Sequence, residues 1–575
     1  MWRLSNTFKE ALHPRLTRLY GEDQVDRLLE RIALVAGRYS YLEERCSLED
    51  PCWDEQTCIL ITYGDMVVRP GEPGLVTLNR FSRDFLDGLI TTIHVLPFFP
   101  YSSDDGFSVI DYRQVDEQLG SWDDVETLGQ QFRLMFDLVL NHVSSKSKWF
   151  QEYLGAIAPA RRYFIELDPQ TDLSQVVRPR TSPLLTPVST VKGEKHVWTT
   201  FSPDQVDLNF ANPDVLLEML DVLLGYINAG AAIIRLDAIA YLWKEVGTPC
   251  INHPFTHEVV KLLRAVVDNV TPGTLLLTET NLPHEENVSY FGAGDEAHIV
   301  YQFSLAPLLL HAIHAGTAKH LTRWARDLQP PPPGCTFLNF TASHDGIGVR
   351  PLEGLLDEEE IIWLAEIVRQ CGGYVSCRTA AGGDEKPYEL NITYFDALQD
   401  CIHPEDIQQQ MSRFLCSQII MLGFRGIPAV YFHSLFAGRN NHAEVAETGI
   451  YRRVNRGRWD DQTLRALLEN HQEVTTRIFT VYAELLRKRA GLAAFHPDAE
   501  QEVIDGGDAL FIFKRIPRKG PPILCVHNVT GEPQDIDIGA LFGRKAQFFD
   551  HITASLHQQK VRGAPYQCLW FEQRG

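Results

Sequence analysis

The sequence predicts an α/β protein: a (β/α)8 TIM barrel with an inserted subdomain after strand 3 and a C-terminal antiparallel β domain. Three observations carry this. Apolar, β-branched-rich runs recur along the chain and end in polar or charged residues, as buried parallel strands do where their C-terminal ends open into a site. Helical segments separate those runs, the alternation that a parallel barrel requires. Beyond about Phe495 the pattern changes to short alternating strands broken by turn residues.

The elements follow in order. Residues 1–54 are polar with helical spacing at Leu28, Leu29, Ile32 and Leu34-Val35, and are expected to form an N-terminal helical extension. The first part of the barrel, residues 55–142, holds expected strands at Cys58–Tyr63, Thr92–Leu96 and Phe136–Leu140. The interval from Leu140 to Ala232 is far longer than a usual βα connection and contains a Pro- and Arg-punctuated stretch, Arg178–Pro187. Residues 143–205 are assigned to the insertion. Residues 206–495 complete the barrel, with a helix over Asp214–Ile227 and strands four and five at Ala232–Leu236 and Leu275–Thr278. Pro330–Pro333 reads as a stiff connector before strand seven, and the Gly-rich stretch Gly372–Pro387 as an irregular active-site loop. In residues 496–575, strands are expected at Leu510–Phe513, Ile523–Val526, Gln547–Phe549 and Cys568–Phe571.

Composition narrows the class. A chain of 575 residues exceeds one compact core, so a main domain with appendages is expected. No apolar run approaches the roughly 20 residues that span a bilayer, and Met1–Thr7 has no signal-peptide core. A cytoplasmic location without membrane attachment is expected. The eleven cysteines lack CxxC pairs, which favours reduced thiols over a disulfide framework or a zinc site. A formal net charge of −22 argues against nucleic acid as a partner, and an anionic substrate would need a local basic pocket. No sequence feature speaks to oligomeric state.

Four strings carry the chemistry: Asp137-Leu138-Val139-Leu140-Asn141-His142, Ile234-Arg235-Leu236-Asp237-Ala238, Leu277-Thr278-Glu279-Thr280 and Ser343-His344-Asp345. Together they bring carboxylates, histidines and an arginine to strand ends, a carbohydrate-cleaving inventory, and retaining cleavage of a glycosidic bond needs two carboxyl groups about 5 Å apart. Arg235 and Asp237 are two residues apart in a strand and so emerge on one face. The guanidinium is expected to lower the pKa of Asp237, while burial and a neighbouring carboxylate raise that of Glu279. Taken alone, Arg235 and Asp237 also suit a structural ion pair at a barrel rim.

In correct order on strand ends, the strings resemble the four signature regions of the α-amylase superfamily, glycoside hydrolase family 13. His94–Pro100, Asp104-Asp105-Gly106-Phe107 and His344–Val349 are similar to its sucrose phosphorylase branch. Val177–Pro183, Gly372-Gly373 and Pro387–Asn391 resemble most the glucosylglycerate phosphorylase members of that branch. The resemblance runs from about Ile61 to about Phe495.

It implies roles by position. Asp237 would be the nucleophile, Glu279 the acid/base, and Asp345 the holder of the sugar's O2 and O3. His142 and His344 would line the glucose subsite beside Arg235, with Asp104 and Arg456 closing its far end around O4 and Phe107 and Tyr241 as apolar platforms. Arg180 matches the phosphate-binding arginine of the branch. Arg178, Arg378, Lys386, Tyr388 and Glu389 are further candidates around phosphate and acceptor, although each loop cation also suits a solvated surface. Asn141 stands where calcium-dependent amylases place a ligand, but the branch generally dispenses with that ion. No metal and no cofactor are expected, with inorganic phosphate as co-substrate. The implied activity is an α-retaining glycoside phosphorylase releasing α-glucose 1-phosphate, with glucosylglycerate the favoured donor. Sucrose 6-phosphate, sucrose and glucosylglycerol remain alternative donors, and hydrolysis or transglucosylation on the same site an alternative reaction. A non-enzymatic barrel binding carbohydrate or a protein is a third class.

Overall fold

Eight parallel strands close into a barrel in the computed structural model, which describes residues 4–44, 52–179, 182–379, 385–543 and 546–574. They are β1 (Ile59–Thr62), β2 (Thr92–Val95), β3 (Arg133–Val139), β4 (Ala231–Asp237), β5 (Leu275–Thr278), β6 (Ile299–Tyr301), β7 (Thr336–Asn339) and β8 (Ile427–Tyr431). Each lies beside its neighbour in sequence, and β8 closes on β1 through Ile59 opposite Ala429. Closure leaves no free strand edge in this sheet. The strands are buried nearly throughout, as parallel strands covered on both faces must be. Sequence patterning left β6 and β8 unplaced.

Helices cover the barrel. Pro213–Asn228 (α3) begins with Asn212 accepting from the Asp214 amide and Pro213 in the first turn, a start that leaves no helix donor wasted. Pro254–Val270 (α4) is built the same way behind His253. Two helices of the N-terminal extension, Asn6–Tyr20 (α1) and Val25–Gly37 (α2), pack on this outer ring. Phe8, Leu12, Leu16 and Leu19 form the buried stripe of α1, and Arg18 reaches Glu258 of α4 at 2.6 Å. Arg31 of α2 pairs with Asp214 at 2.6 Å. Leu34 faces outward, because the apolar stripe of α2 runs through Leu28, Leu29, Ile32 and Ala36. Among the described residues no helix is long and apolar enough to cross a membrane.

Between β3 and β4 the chain forms a hairpin, Leu185–Thr190 with Gly193–Trp198, over a small cluster of Leu184, Trp198 and Cys250. After β7, the stretch expected to be an irregular loop is a second hairpin, Tyr374–Thr379 with Glu385–Asn391, extended by Ile347-Gly348. Gly372 and Gly373 precede the first strand, and the residues between Thr379 and Glu385 lie outside the described ones. The C-terminal strands form a six-stranded antiparallel sheet from Glu500–Gly506 to Cys568–Arg574.

One buried side chain ties the barrel section together. Arg489 donates to the carbonyls of Leu422 (2.9 Å), Glu55 (2.5 Å) and Phe495 (3.0 Å). Burial lowers its pKa to about 10.

Candidate active site

The C-terminal ends of the strands converge on one pocket, whose walls include Asp237, Glu279, His344 and Asp345. Asp237 is the last residue of β4, and Glu279 is the first beyond β5. The register Leu277–Arg235 and Thr278–Leu236 sets Glu279 opposite Asp237 on the neighbouring strand, and neighbouring strands lie about 4.8 Å apart. Ala238 then turns sharply into the left-handed region (φ 49°), a conformation costing a non-glycine residue about 1–3 kcal/mol. The turn aims its N–H at Glu279 Oε2, 3.0 Å away.

Beneath the carboxyl pair runs a dry chain of polar contacts. Arg235 Nη1 donates to Asp237 Oδ1 at 2.6 Å and to Asp137 Oδ1 at 2.5 Å, and Asp137 Oδ2 meets His94 Nε2 at 2.7 Å. Burial pushes the Asp237 carboxyl well above its ordinary pKa, and Glu279 and Asp137 add to that, with Arg235 opposing. The expected net lowering by Arg235 is therefore corrected: its attraction is present but outweighed. Glu279 is raised as well, by burial and by Asp345. Both carboxyls of the pair are thus pushed toward their neutral forms. Of the two, Asp237 receives the direct bond from Arg235, which favours its charged form, while Glu279 has no such partner.

Asp345 behaves oppositely. Against the penalty of burial, Arg452 and Arg456 hold its carboxyl well below the usual range. Arg452 Nη1 lies 2.6 Å from Asp345 Oδ1. This arginine lines the pocket and was not singled out from the sequence. Arg452 and Arg456 sit one turn apart in a single string, and that spacing was the available signal.

Behind the wall residues His344 and Asp345, the buried Arg456 donates to the His344 carbonyl at 2.8 Å and to Asp105 Oδ2 at 2.5 Å. Asp104 lies 3.8 Å from Arg456. The structure thus brings the expected pair together, with Asp105 as the tighter partner. Asp104 and Asp105 both adopt positive φ (52° and 50°), which turns both carboxylates inward. Phe107 stacks on His344 with centroids 4.7 Å apart and planes 5° from parallel. Tyr241 meets Phe201, another wall residue, edge-on at 5.4 Å. His142 lines the pocket, and its Nε2 lies 2.9 Å from the Phe107 carbonyl. Burial keeps both His142 and His344 neutral.

Next to His142, Lys244 places its ammonium 2.5 Å from Asn141 Oδ1 and 2.6 Å from Asp207 Oδ2, with lysine and aspartate sealed from solvent. The position at which the resemblance puts a calcium ligand is filled by a cation of the chain itself.

The expected basic cluster does not assemble among the described residues. Arg178 is exposed, while the neighbouring Pro179 is the residue that reaches the pocket wall. Arg378 turns to Glu353 at 2.9 Å, and Lys386 to Glu358 at 2.8 Å, both on the outside of the hairpin. Arg180 lies outside the described residues. Tyr388 and Glu389 do line the pocket, but Glu389 is neutralised by Arg452, at 2.7 Å. Its carboxylate faces Arg452, which it shares with Asp345.

Comparison with known proteins places this geometry. The family model "Alpha amylase, catalytic domain" matches residues 84–328. The chain is 45 % identical to the glucosylglycerate phosphorylase of Allomeiothermus silvanus, over 99 % of this chain and 100 % of that one. It is 47 % identical to the glucosylglycerate phosphorylase of Spirochaeta thermophila, over 84 % and 82 %. Among solved structures it is similar to sucrose 6F-phosphate phosphorylase from Thermoanaerobacter thermosaccharolyticum, with a TM-score of 0.72 and 25 % identity over 83 % of this chain and 94 % of that one.

Proposed function

We infer the reaction from family membership: the chain belongs to the α-amylase family, glycoside hydrolase family 13, in the group of the glucosylglycerate phosphorylases. It is an α-retaining glycoside phosphorylase converting glucosylglycerate and phosphate to α-glucose 1-phosphate and glycerate. The placement of Asp237 and Glu279 on facing strand ends, with Arg235 bonded to the first and the Ala238 amide to the second, carries this reading.

Asp237 Oδ attacks the anomeric carbon while the bond from that carbon to the glycerate oxygen breaks. Glu279 gives its proton to the departing oxygen. A β-glucosyl ester on Asp237 results, and Glu279 is left as a carboxylate. Phosphate then attacks the same carbon from the side that glycerate left, and its proton passes to Glu279. The ester bond breaks, Asp237 is restored, and two inversions give net retention. Asp345, ionised and fixed by Arg452, is placed to accept hydrogen bonds from glucose hydroxyls. Arg456, paired with Asp104 and Asp105, stands where the resemblance closes the glucose subsite around O4, which suits a terminal glucosyl unit and not a polymer interior. Ring stacking holds Phe107 and His344 as one rigid wall.

The test is glucose 1-phosphate release from glucosylglycerate, run beside sucrose, sucrose 6-phosphate and glucosylglycerol, with and without inorganic phosphate. Phosphate-dependent release from glucosylglycerate is expected. Free glucose appearing at the same rate without phosphate would overturn the reading.

A further inference from the structure

Away from the pocket, three ligating side chains from three helices meet at one point. His311 belongs to Leu305–Ala315 (α5), His320 to Lys319–Asp327 (α6) and Glu360 to Glu358–Gln370 (α7). His311 Nε2 is 3.2 Å and His320 Nε2 is 3.1 Å from the same oxygen, Glu360 Oε1. All three atoms lie within 4.8 Å of one another. Nitrogen and oxygen ligands about 2.0–2.2 Å from a tetrahedral zinc ion are about 3.3 Å apart. Both measured separations match the edge of such a tetrahedron.

The arrangement is held from behind. Glu360 is the third residue of a capping box, and its other oxygen accepts from the Asp357 amide at 3.1 Å, which fixes the carboxylate's orientation. His311 is buried, and its ring is met edge-on by Trp363 at 5.6 Å. His320 Nδ1 is buried without a partner, so no hydrogen bond there dictates which ring nitrogen carries the proton. Glu358 and Glu359 add negative charge on the first turn of the same helix, and the chain as a whole is strongly anionic. Imidazole with one carboxylate suits zinc and its neighbours among the transition metals. None of the three residues lines the catalytic pocket.

We propose that His311, His320 and Glu360 form a binding site for one divalent ion of the zinc class, with a fourth coordination position left to water. A bound ion fastens α7 to α5 and α6. Since α7 leads into the hairpin bearing Tyr388 and Glu389, the ion steadies the support of one pocket wall without touching the reaction.

The experiment uses the full-length protein freed of metal by chelation, titrated with zinc alone and followed by calorimetry. In parallel, cobalt(II) is added and its visible absorption and the tryptophan emission are recorded. The wild type is expected to bind one zinc equivalent more than His320→Gln or Glu360→Gln, or to bind it about tenfold or more tightly. It should also gain the cobalt band and lose Trp363 emission, which Trp363→Phe identifies. Glu360→Gln keeps the capping acceptor and His320 is partly exposed, so both variants should melt like the metal-free wild type. Equal zinc binding in wild type and both variants, or none in the wild type, would overturn the proposal and reduce the cluster to two histidines hydrogen-bonded to a carboxylate.

Discussion

Arg452 grips Glu389 through two hydrogen bonds, Nε to Oε2 at 3.1 Å and Nη2 to Oε1 at 2.7 Å, although the two residues are 63 apart in sequence. The remaining nitrogen holds Asp345. Arg452→Ala leaves a fully buried carboxylate without its partner, a loss of about 3–5 kcal/mol. A lower Tm is expected, recovered in part by the double variant Arg452→Ala/Glu389→Gln. Arg452→Lys keeps the charge but not the fork, so it should resemble the alanine variant more than the wild type in kcat/KM.

Asp237→Asn removes the nucleophile and should lower kcat by about 10⁴-fold or more. Glu279→Gln should lower it by about 10²–10⁴-fold. Glucose 1-phosphate release measures both, and wild-type-like turnover by the asparagine variant would contradict the assigned role.

The carboxyl pair also has a stability signature. Asp237 and Glu279 have folded pKa values raised above the unfolded range of about 4. Above that range the native state binds more protons than the unfolded one, so their contribution to stability falls as pH rises. Asp345 is held low, so its contribution is present above about pH 4 and is lost as pH falls below it. Thermal melts from pH 5 to 9 should therefore show Asp237→Asn gaining on the wild type as pH rises.

Lys244→Ala strands Asp207 in a dry site and should cost about 3–5 kcal/mol. The vacated space keeps two oxygen ligands, Asn141 Oδ1 and Asp207 Oδ2. Millimolar calcium is expected to raise the Tm of this variant and to leave that of the wild type where it was.

Arg378→Ala breaks only a half-exposed pair with Glu353 and should change the KM for phosphate by less than about twofold. A tenfold rise would show that the hairpin arginine leaves Glu353 for the pocket during turnover.

The residues that end strands were legible because the strand itself is legible. A β-branched run such as Ala232–Leu236 announces both its burial and its exit point, so Asp237 and Glu279 could be placed at strand ends from pattern, while their roles came from the resemblance. Two barrel strands could not be. Ile299–Tyr301 is only three residues long, and Ile427–Tyr431 contains Pro428, which ordinarily argues against an interior strand. The partners of the buried carboxyls were harder still. Lys244 reads as a surface lysine until Asp207 is found beside it, since lysine is rarely buried unless paired. Arg452 acquires its place only when a hairpin from earlier in the chain delivers Glu389. Local pattern carries no information on which distant carboxylate will meet which cation.

The contacts of Arg489 bear on how this enzyme can be cut. Its guanidinium bonds carbonyls at Glu55 and at Phe495, so the stretch leading into β1 and the stretch leading into the C-terminal sheet are held within a few ångström of each other. Fragments trimmed inside either point would expose a charge whose only comfort is main-chain oxygen. Chimaeras among relatives should therefore exchange both junctions together, since the two seams of the barrel are stitched by a single side chain.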